Sequence, residues 1–171
     1  KSAAALLRNM KKKSFLAVPL LLFAIALFSG CNAKEINNVY ISEAMSNNTS
    51  FFADENGNFS DWIELCNPTD SDIDLSGYSL TDDGMEAKKF VFPSVIIKKN
   101  GYLVLFADGE YQVDKGNEKI HVPFKLSAKK GEALRLYNQD GALISLLGVP
   151  PLEENVSFGI GKNGSQTTFT E

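Results

Sequence analysis

Three features of the chain predict an all-β fold. From Ile36 onward, no window shows apolar residues at the 3.6-residue period of an amphipathic helix. Short runs rich in Val, Ile, Leu, Phe and Tyr alternate with clusters of the turn-forming residues Gly, Asn, Asp and Pro. Several runs alternate apolar with polar residues, as strands with one buried face do. About eight short strands at this spacing predict a two-sheet sandwich of immunoglobulin type, with a small barrel as the structural alternative.

Eight segments have the composition of strands. In chain order they are Val39–Glu43, Trp62–Asn67, Ile73–Leu75, Tyr78–Thr81, Phe90–Pro93, Tyr102–Ala107, Ala133–Asn138 and Ala142–Leu147. The segments between them have turn chemistry, because Asn56-Gly57, Asn100-Gly101 and Asp140-Gly141 supply residues that tolerate positive φ. Asn67-Pro68 starts a further turn.

The acidic stretch from Ser60 to Asp83 follows strand periodicity. In WIELCN, Ile63 and Leu65 point to one face, whereas Trp62, Glu64 and Cys66 point to the other. In DIDLSGYSL, Ile73 and Leu75 alternate with Asp72 and Asp74 in the same way. The acids therefore occupy outward positions of strands, and Ile63 and Leu65 are predicted core residues.

The first thirty residues have the order of a secretory signal. Lys11, Lys12 and Lys13 precede a fourteen-residue uncharged run, Phe15–Phe28, and Ser29-Gly30 leads into Cys31. The run is shorter than the roughly 20 apolar residues of a membrane-spanning helix. FSGC resembles a bacterial lipobox apart from Phe28, so lipidation of Cys31 is predicted over plain secretion.

These features predict the domain organisation. Residues 1–30 are interpreted as read-through followed by a signal peptide that starts at Met10, and residues 31–36 as a tether. Residues 37–171 form one predicted domain, and the absence of a closing turn or cap after TTFTE suggests truncation at its C-terminus.

The charge argues against a nucleic-acid partner, and the cysteine content argues against an intramolecular disulfide. Residues 31–171 carry 12 basic and 21 acidic groups, a net charge near −9. Because nucleic-acid binding depends on neutralising phosphates with Lys and Arg, nucleic acid is not an expected partner. With Cys31 lipidated, Cys66 is the only remaining cysteine, so no intramolecular disulfide is expected.

A chain of motifs between Ile41 and Phe158 resembles the lamin tail domain in its bacterial form. The pieces are ISEAMSNN, SDWIELCNPTDSDIDLSGYSLTDD, KKFVFPSVIIKKNGYLVLFADG, HVPFKLSAKKGEALRLYNQDG and VSFG, in this order and at short spacing. The resemblance implies an immunoglobulin-like β-sandwich without catalytic residues or a cofactor. It also implies a secreted or surface protein that attaches or targets, often beside hydrolase, nuclease or CotH-type kinase domains. The shared positions are structural, so no functional residue is carried over.

Oxygen-bearing side chains make ADENGNFSD a candidate calcium loop. Asp54, Asn56, Asn58 and Asp61 are the candidate ligands. The helix-loop-helix calcium loop requires glycine at its sixth position and glutamate at its twelfth, where this chain has Phe59 and Leu65. A solvated hairpin turn is therefore the favoured interpretation.

Two other polar combinations are weak candidates. Cys66 and His121 form a nucleophile and base only if they meet in space, and Cys66 instead has the position of a small buried strand residue. Two basic doublets, Lys98-Lys99 and Lys129-Lys130, suit an anionic polymer or lipid head groups, but solvated turns are the favoured interpretation.

Aromatic residues are the better candidates for ligand binding. They are Phe51, Phe52, Trp62, Tyr78 and Tyr111. The leading hypothesis is a non-catalytic module, anchored to the membrane of the bacterial cell envelope through Cys31, that binds a protein or envelope glycan. The alternatives are the N-terminal docking domain of a longer secreted enzyme and a calcium- or glycan-binding receptor.

Overall fold

Strands and turns make up the part of the chain that the structure describes. The computed structural model describes residues 38–114, 119–161 and 164–170, and none of them is helical. Within these ranges, accordingly, no helix is long and apolar enough to cross a membrane. The strands are β1 (Tyr40–Met45), β2 (Trp62–Cys66), β3 (Ile73–Asp74), β4 (Ser79–Thr81), β5 (Phe90–Val91), β6 (Ile96–Ile97), β7 (Tyr102–Phe106), β8 (Gln112–Val113), β9 (Ile120–His121), β10 (Glu132–Tyr137), β11 (Leu143–Val149), β12 (Val156–Ile160) and β13 (Gln166–Thr170).

The strands form two main sheets and a small third one. The large sheet has the order β13-β12-β1-β2-β7-β9-β8, in which only the β7–β9 pair is parallel. A four-stranded sheet has the order β11-β10-β4-β5, and β3 pairs with β6. The predicted all-β sandwich of immunoglobulin type is confirmed.

The eight predicted strands all exist, but five further strands were not predicted. β6, β8 and β9 have two residues each, too few to show a periodicity of 2. β12 and β13 pair with each other at the edge of the large sheet. In β12, Val156, Phe158 and Ile160 alternate with Ser157 and Gly159 and pack against the main core, whereas threonine dominates β13.

The core lies between the two main sheets and follows the predicted register. Ile63 and Leu65 on β2 have no exposed surface, whereas Asp72 and Asp74 are exposed, as predicted. Phe90 and Phe92 meet edge to face in the core, with ring centroids 4.8 Å apart. Full burial of a leucine or phenylalanine side chain stabilises a fold by about 1.5–3 kcal/mol, so this register is energetically well determined.

The other face of β2 carries buried residues as well. Trp62 and Cys66 point away from the main core, as predicted, and both are buried, which agrees with the buried strand position predicted for Cys66. Trp62 joins Met45 and Phe106 in a second, smaller apolar cluster. We call the side of the large sheet that carries this cluster the outer face. The loop between β1 and β2 brings Phe51 to Trp62 on this face, so the strand alternation alone did not predict the burial.

Candidate functional site

Three of the five aromatic candidates converge on the outer face. The rings of Phe51 and Trp62 lie 6.3 Å apart between centroids, and Phe52 stacks on Phe106 at 5.6 Å with an interplanar angle of 10°. Trp62 and Phe106 are cross-strand neighbours in β2 and β7. The loop phenylalanines keep more than a third of their surface exposed, so they remain available to a ligand.

A β-bulge places two carboxylates beside these rings. Ile41 pairs with Leu65, but Glu43 pairs with Glu64, so Ser42 is the extra residue on β1. One extra residue reverses the alternation of the strand, and Glu43 therefore shares the outer face with Glu64. Side chains that lie directly opposite in such a pair have Cβ atoms about 5 Å apart.

Glycine at position 159 allows β12 to approach the bulge. Gly159 pairs with Glu43, and a Cβ atom at position 159 would lie only 2.3 Å from the carbonyl oxygen of Ser42. Any side chain there would push β12 away from β1. Gly159 therefore allows the close pairing of β12 with β1 at Glu43.

Serine hydroxyls hold the two carboxylates. Ser42 Oγ donates to Glu64 Oε1 at 2.6 Å, and Ser157 Oγ donates to Glu43 Oε1. Burial raises the pKa of the Glu64 carboxyl above its usual value and the charge of Glu43 adds to the rise, while the Ser42 hydrogen bond opposes it. Among the described residues, neither carboxylate forms an ion pair with Lys, Arg or His.

Together these groups line one open pocket of about 350 Å³. We call it the aromatic–carboxylate pocket; its lining residues are Glu43, Phe51, Phe52, Trp62, Glu64, Val104 and Phe169. Trp62 is 6% exposed, and its indole Nε1 is buried without a hydrogen-bond acceptor among the residues that the structure describes. A buried donor without an acceptor costs about 1–3 kcal/mol, so a residue of the pocket lining carries an unsatisfied polar group.

A second polar cluster borders the aromatic rings and was not predicted. His121 on β9 is 3% exposed, and its ring lies 5.3 Å from that of Phe106. Its Nδ1 is 2.6 Å from Asp108 Oδ2, and its Nε2 is 3.3 Å from Glu55 Oε2. The cluster thus ties the β1–β2 loop, through Glu55, to the segment after β7.

Both carboxylates favour the protonated form of His121. Burial alone lowers the pKa of His121, but the hydrogen bonds and charges of Asp108 and Glu55 outweigh burial and raise the pKa above 6.5. Asp54, Asp108 and His121 each offer one ligand atom, and the three atoms lie within 4.8 Å of one another. Sequence reasoning missed this group because its members come from three separate segments.

The comparisons with known proteins decide the family. The sequence model of the Lamin Tail Domain family matches residues 32–150. The chain belongs to the lamin tail domain family. A search of the curated proteins found no match to the chain. Lamin tail domains are immunoglobulin-like domains that generally serve in binding and interaction, which is the class of function that the aromatic–carboxylate pocket suits.

The other two aromatic candidates of this lamin tail domain lie elsewhere. Tyr78 is partly buried against the main core. Tyr111 is 62% exposed, and its ring contacts that of Phe90, with centroids 5.5 Å apart. Neither ring lines the aromatic–carboxylate pocket.

Three of the four candidate calcium ligands, Asp54, Asn56 and Asn58, form a hydrogen-bonded turn. The Asp54 carboxylate accepts hydrogen bonds from the backbone N–H groups of Asn56 and Asn58 and from Asn58 Nδ2. Burial opposes this effect, but these hydrogen bonds, with the charge of His121, lower the pKa of Asp54. Two of the four proposed ligands therefore direct N–H donors, not oxygens, at Asp54.

Asp61 has different surroundings from Asp54. Burial raises the pKa of Asp61, while backbone N–H groups of Asn48 and Leu126 and the charge of Lys125 oppose the rise. Its backbone carbonyl accepts the N–H of Ala107 at 2.7 Å. The structure thus groups Asp54 with Asp108 and His121, a set of candidate ligands different from the predicted one.

Cys66 and His121 lie at opposite ends of the large sheet's central strands. Cys66 is in register with Tyr102, and Phe106, four residues further along β7, is in register with His121. Four residues of strand span about 13 Å. Both ring nitrogens of His121 contact carboxylates instead, so the two residues do not form a nucleophile and base.

The basic doublets lie at exposed turns. Lys98 forms an ion pair with Asp72 at 2.9 Å, with both side chains largely exposed. Lys99, Lys129 and Lys130 are exposed as well. Exposed ion pairs of this kind contribute about 0–1 kcal/mol to stability. The exposure agrees with the favoured interpretation of both doublets as solvated turns. The predicted lipidation site Cys31 and the tether through Ile36 lie outside the described residues.

Proposed function

We propose that this lamin tail domain is a non-catalytic binding module of the bacterial cell envelope, anchored through a lipidated Cys31, and that it binds its ligand in the aromatic–carboxylate pocket. The convergence of Phe51, Phe52 and Trp62 beside two unneutralised carboxylates carries the proposal. Aromatic rings supply large contact areas in binding sites, and the loop position of both phenylalanines suits ligand contact.

The anchoring part of the proposal rests on the sequence around Cys31. Two acyl chains attach a protein stably to a membrane, whereas one chain binds it reversibly. Expression of the full chain in bacteria supplied with an alkyne-labelled palmitate tests it directly. We expect label in the wild type and in Cys66→Ala, and none in Cys31→Ala. Equal labelling of Cys31→Ala, or none in any variant, contradicts the anchor.

The binding part is tested by two matched sets of aromatic substitutions. The folded domain is immobilised and exposed to solubilised cell-envelope proteins and to envelope glycan fragments, and the retained material is quantified. We expect Phe51→Ala/Phe52→Ala to lose retention that Tyr111→Ala keeps, because Tyr111 is exposed but lies outside the pocket. Undiminished retention by the double variant would show that the pocket is not the binding surface.

A further inference from the structure

The row of side chains that crosses the outer face at the bulge lacks a positive charge. Gly159, Glu43, Glu64 and Val104 follow one another across β12, β1, β2 and β7. Like charges directly opposite each other in a sheet are destabilising, whereas opposite charges in these positions stabilise the pair. Here the neighbours on both sides of the pair are uncharged.

The flanking rows supply no cation either. On one side are Met45, Trp62 and Phe106, and on the other are Tyr40, Cys66 and Tyr102. Within the described residues, the Glu43 and Glu64 side chains bond only to the hydroxyls of Ser157 and Ser42. Among the described residues, then, no cationic side chain neutralises this pair.

The surroundings of the pair match a cationic side chain. A Lys ammonium or Arg guanidinium is attracted to the faces of Trp and Phe rings and forms charge-assisted hydrogen bonds with carboxylates. Trp62 and Phe51 line the same pocket as both glutamates. The net charge near −9 of residues 31–171 attracts positively charged partners over a longer range.

The unsatisfied indole points to a polypeptide as the source of that cation. The indole Nε1 of Trp62 can only donate a hydrogen bond, so it requires an acceptor. The ammonium of Lys and the guanidinium of Arg are donors too and cannot supply that acceptor. A backbone carbonyl next to the cationic residue supplies one. The half-exposed Phe51 ring lies against Trp62, and both residues line the pocket that the ligand enters.

We infer that the aromatic–carboxylate pocket binds a lysine or arginine side chain of a polypeptide partner between Glu43 and Glu64, with a backbone carbonyl of the partner accepting from Trp62 Nε1. The inference rests on the proposed function, since it names the ligand class of the same pocket. It assigns the charge to the two glutamates and the apolar contact to Phe51 and Trp62.

The single tryptophan provides a specific reporter. Uniformly ¹⁵N-labelled protein gives one indole N–H signal, that of Trp62. Acetyl-alanyl-lysyl-alanine amide is titrated against it, with the norleucine analogue as the uncharged control of matched length. We expect a saturable shift of the indole signal with the lysyl peptide, weakened by added salt, and none with the norleucine peptide.

Conservative substitutions connect the response to the carboxylates. Glu43→Gln and Glu64→Gln keep the side-chain shape and remove the charge, so each is expected to weaken lysyl-peptide binding by roughly tenfold or more. Glu110→Gln, at an exposed glutamate outside the pocket, is expected to bind as the wild type does. The remaining amide signals report whether each variant is folded.

Other outcomes separate this inference from the proposed function. An indole response to N-acetylglucosamine oligosaccharides but not to lysyl or arginyl peptides overturns the cationic ligand and leaves the pocket as a binding site. A lysyl-peptide response that is equal in Glu43→Gln, Glu64→Gln and wild type also overturns it. No response to any of these probes, together with undiminished envelope retention by Phe51→Ala/Phe52→Ala, overturns both.

Discussion

Glu43 on β1 lies directly opposite Glu64 on β2, on the outer face of the large sheet. Regular alternation would have placed Glu43 on the core face beside Ile41, and the bulge at Ser42 moves it outward. The result is a pair of like charges beside aromatic rings that a regular sheet would not contain. Sites that bind charged ligands commonly keep such unfavourable arrangements at a cost in stability.

Neutralising one member of the pair should stabilise the free protein. Glu64→Gln is expected to raise the free energy of unfolding at pH 7 by about 0.5–1 kcal/mol, since like charges directly opposite are destabilising. The pKa of Glu64 is raised on folding, so the ionised form is disfavoured in the native state. The gain in unfolding free energy is therefore absent below pH 4.5, the ordinary pKa of a glutamate. It develops as the pH rises through the raised pKa of Glu64.

Urea unfolding of wild type and Glu64→Gln at pH 4 and pH 7.5 measures this difference. Glu110→Gln is the control, because its exposed side chain lies away from the pair. A Glu64→Gln variant that is less stable than the wild type at pH 7.5 would contradict the repulsion between the two carboxylates.

Removing the His121 imidazole should cost stability in a pH-dependent way. His121→Gln is expected to lower the free energy of unfolding at pH 6 by about 1–3 kcal/mol, since it removes charge-assisted hydrogen bonds to Asp108 and Glu55. The pKa of His121 is raised on folding. The contribution of His121 to the unfolding free energy is therefore complete below pH 6.5, the ordinary pKa of histidine. It is lost as the pH rises through the raised pKa.

Thermal or urea unfolding across pH 5.5–9.5 measures the difference between wild type and His121→Gln. We expect that difference to shrink on the alkaline side. A constant difference across the series would mean that His121 contributes by packing against Phe106 rather than by its charge.

A methyl group at position 159 should disturb the pairing of β1 and β12. In Gly159→Ala the new Cβ would meet Ser42 O at 2.3 Å and Glu43 Cα at 2.9 Å, both backbone atoms that cannot turn aside. Overpacking of this kind costs about 1–3 kcal/mol or more. Gly148→Ala on β11 has no atom within 4 Å of its Cβ and is the matched control.

Denaturant unfolding of the two alanine variants provides the comparison. We expect Gly148→Ala to stay within about 0.5 kcal/mol of the wild type, as most surface substitutions do. Equal stability of both variants would show that β12 adapts to a side chain at the bulge.

Millimolar calcium should leave the thermal midpoint unchanged. The Asp54 carboxylate already accepts three hydrogen bonds from its own turn, and Asn56 and Asn58 present N–H groups to it. Calcium requires six to eight oxygen ligands, whereas the backbone carbonyls of Asp54 and Asn58 also accept hydrogen bonds within the turn. The measurement is a thermal scan with calcium against one with chelator.

Asp54→Asn supplies the control for the calcium experiment. A saturable rise of the midpoint in the wild type that Asp54→Asn lacks would show cation binding at this turn. The neighbouring group of Asp54, Asp108 and His121 would then be the first place to look for further ligands.

Local patterns were sufficient to predict most of the fold. The alternation in WIELCN predicts that Ile63 and Leu65 face the core, and both are fully buried. Turn positions followed from Asn and Gly in the same way, and Asn100 and Gly141 do have positive φ. These features depend on sequence neighbours alone, because strand alternation and positive φ are properties of one to a few residues.

The chain's sequence by itself therefore determined the sandwich, its family and the direction of the core face. Tertiary structure decided which of the aromatic residues meet, because Phe51 and Trp62 approach only when the β1–β2 loop folds over the outer face. The tertiary structure also decided that Glu43 faces Glu64. A bulge is defined by the pairing of two strands, so the sequence of one strand gives little sign of it. The His121 cluster has the same origin: its partners come from segments that only strand pairing brings together, so the spacing of residues along the chain could not reveal it.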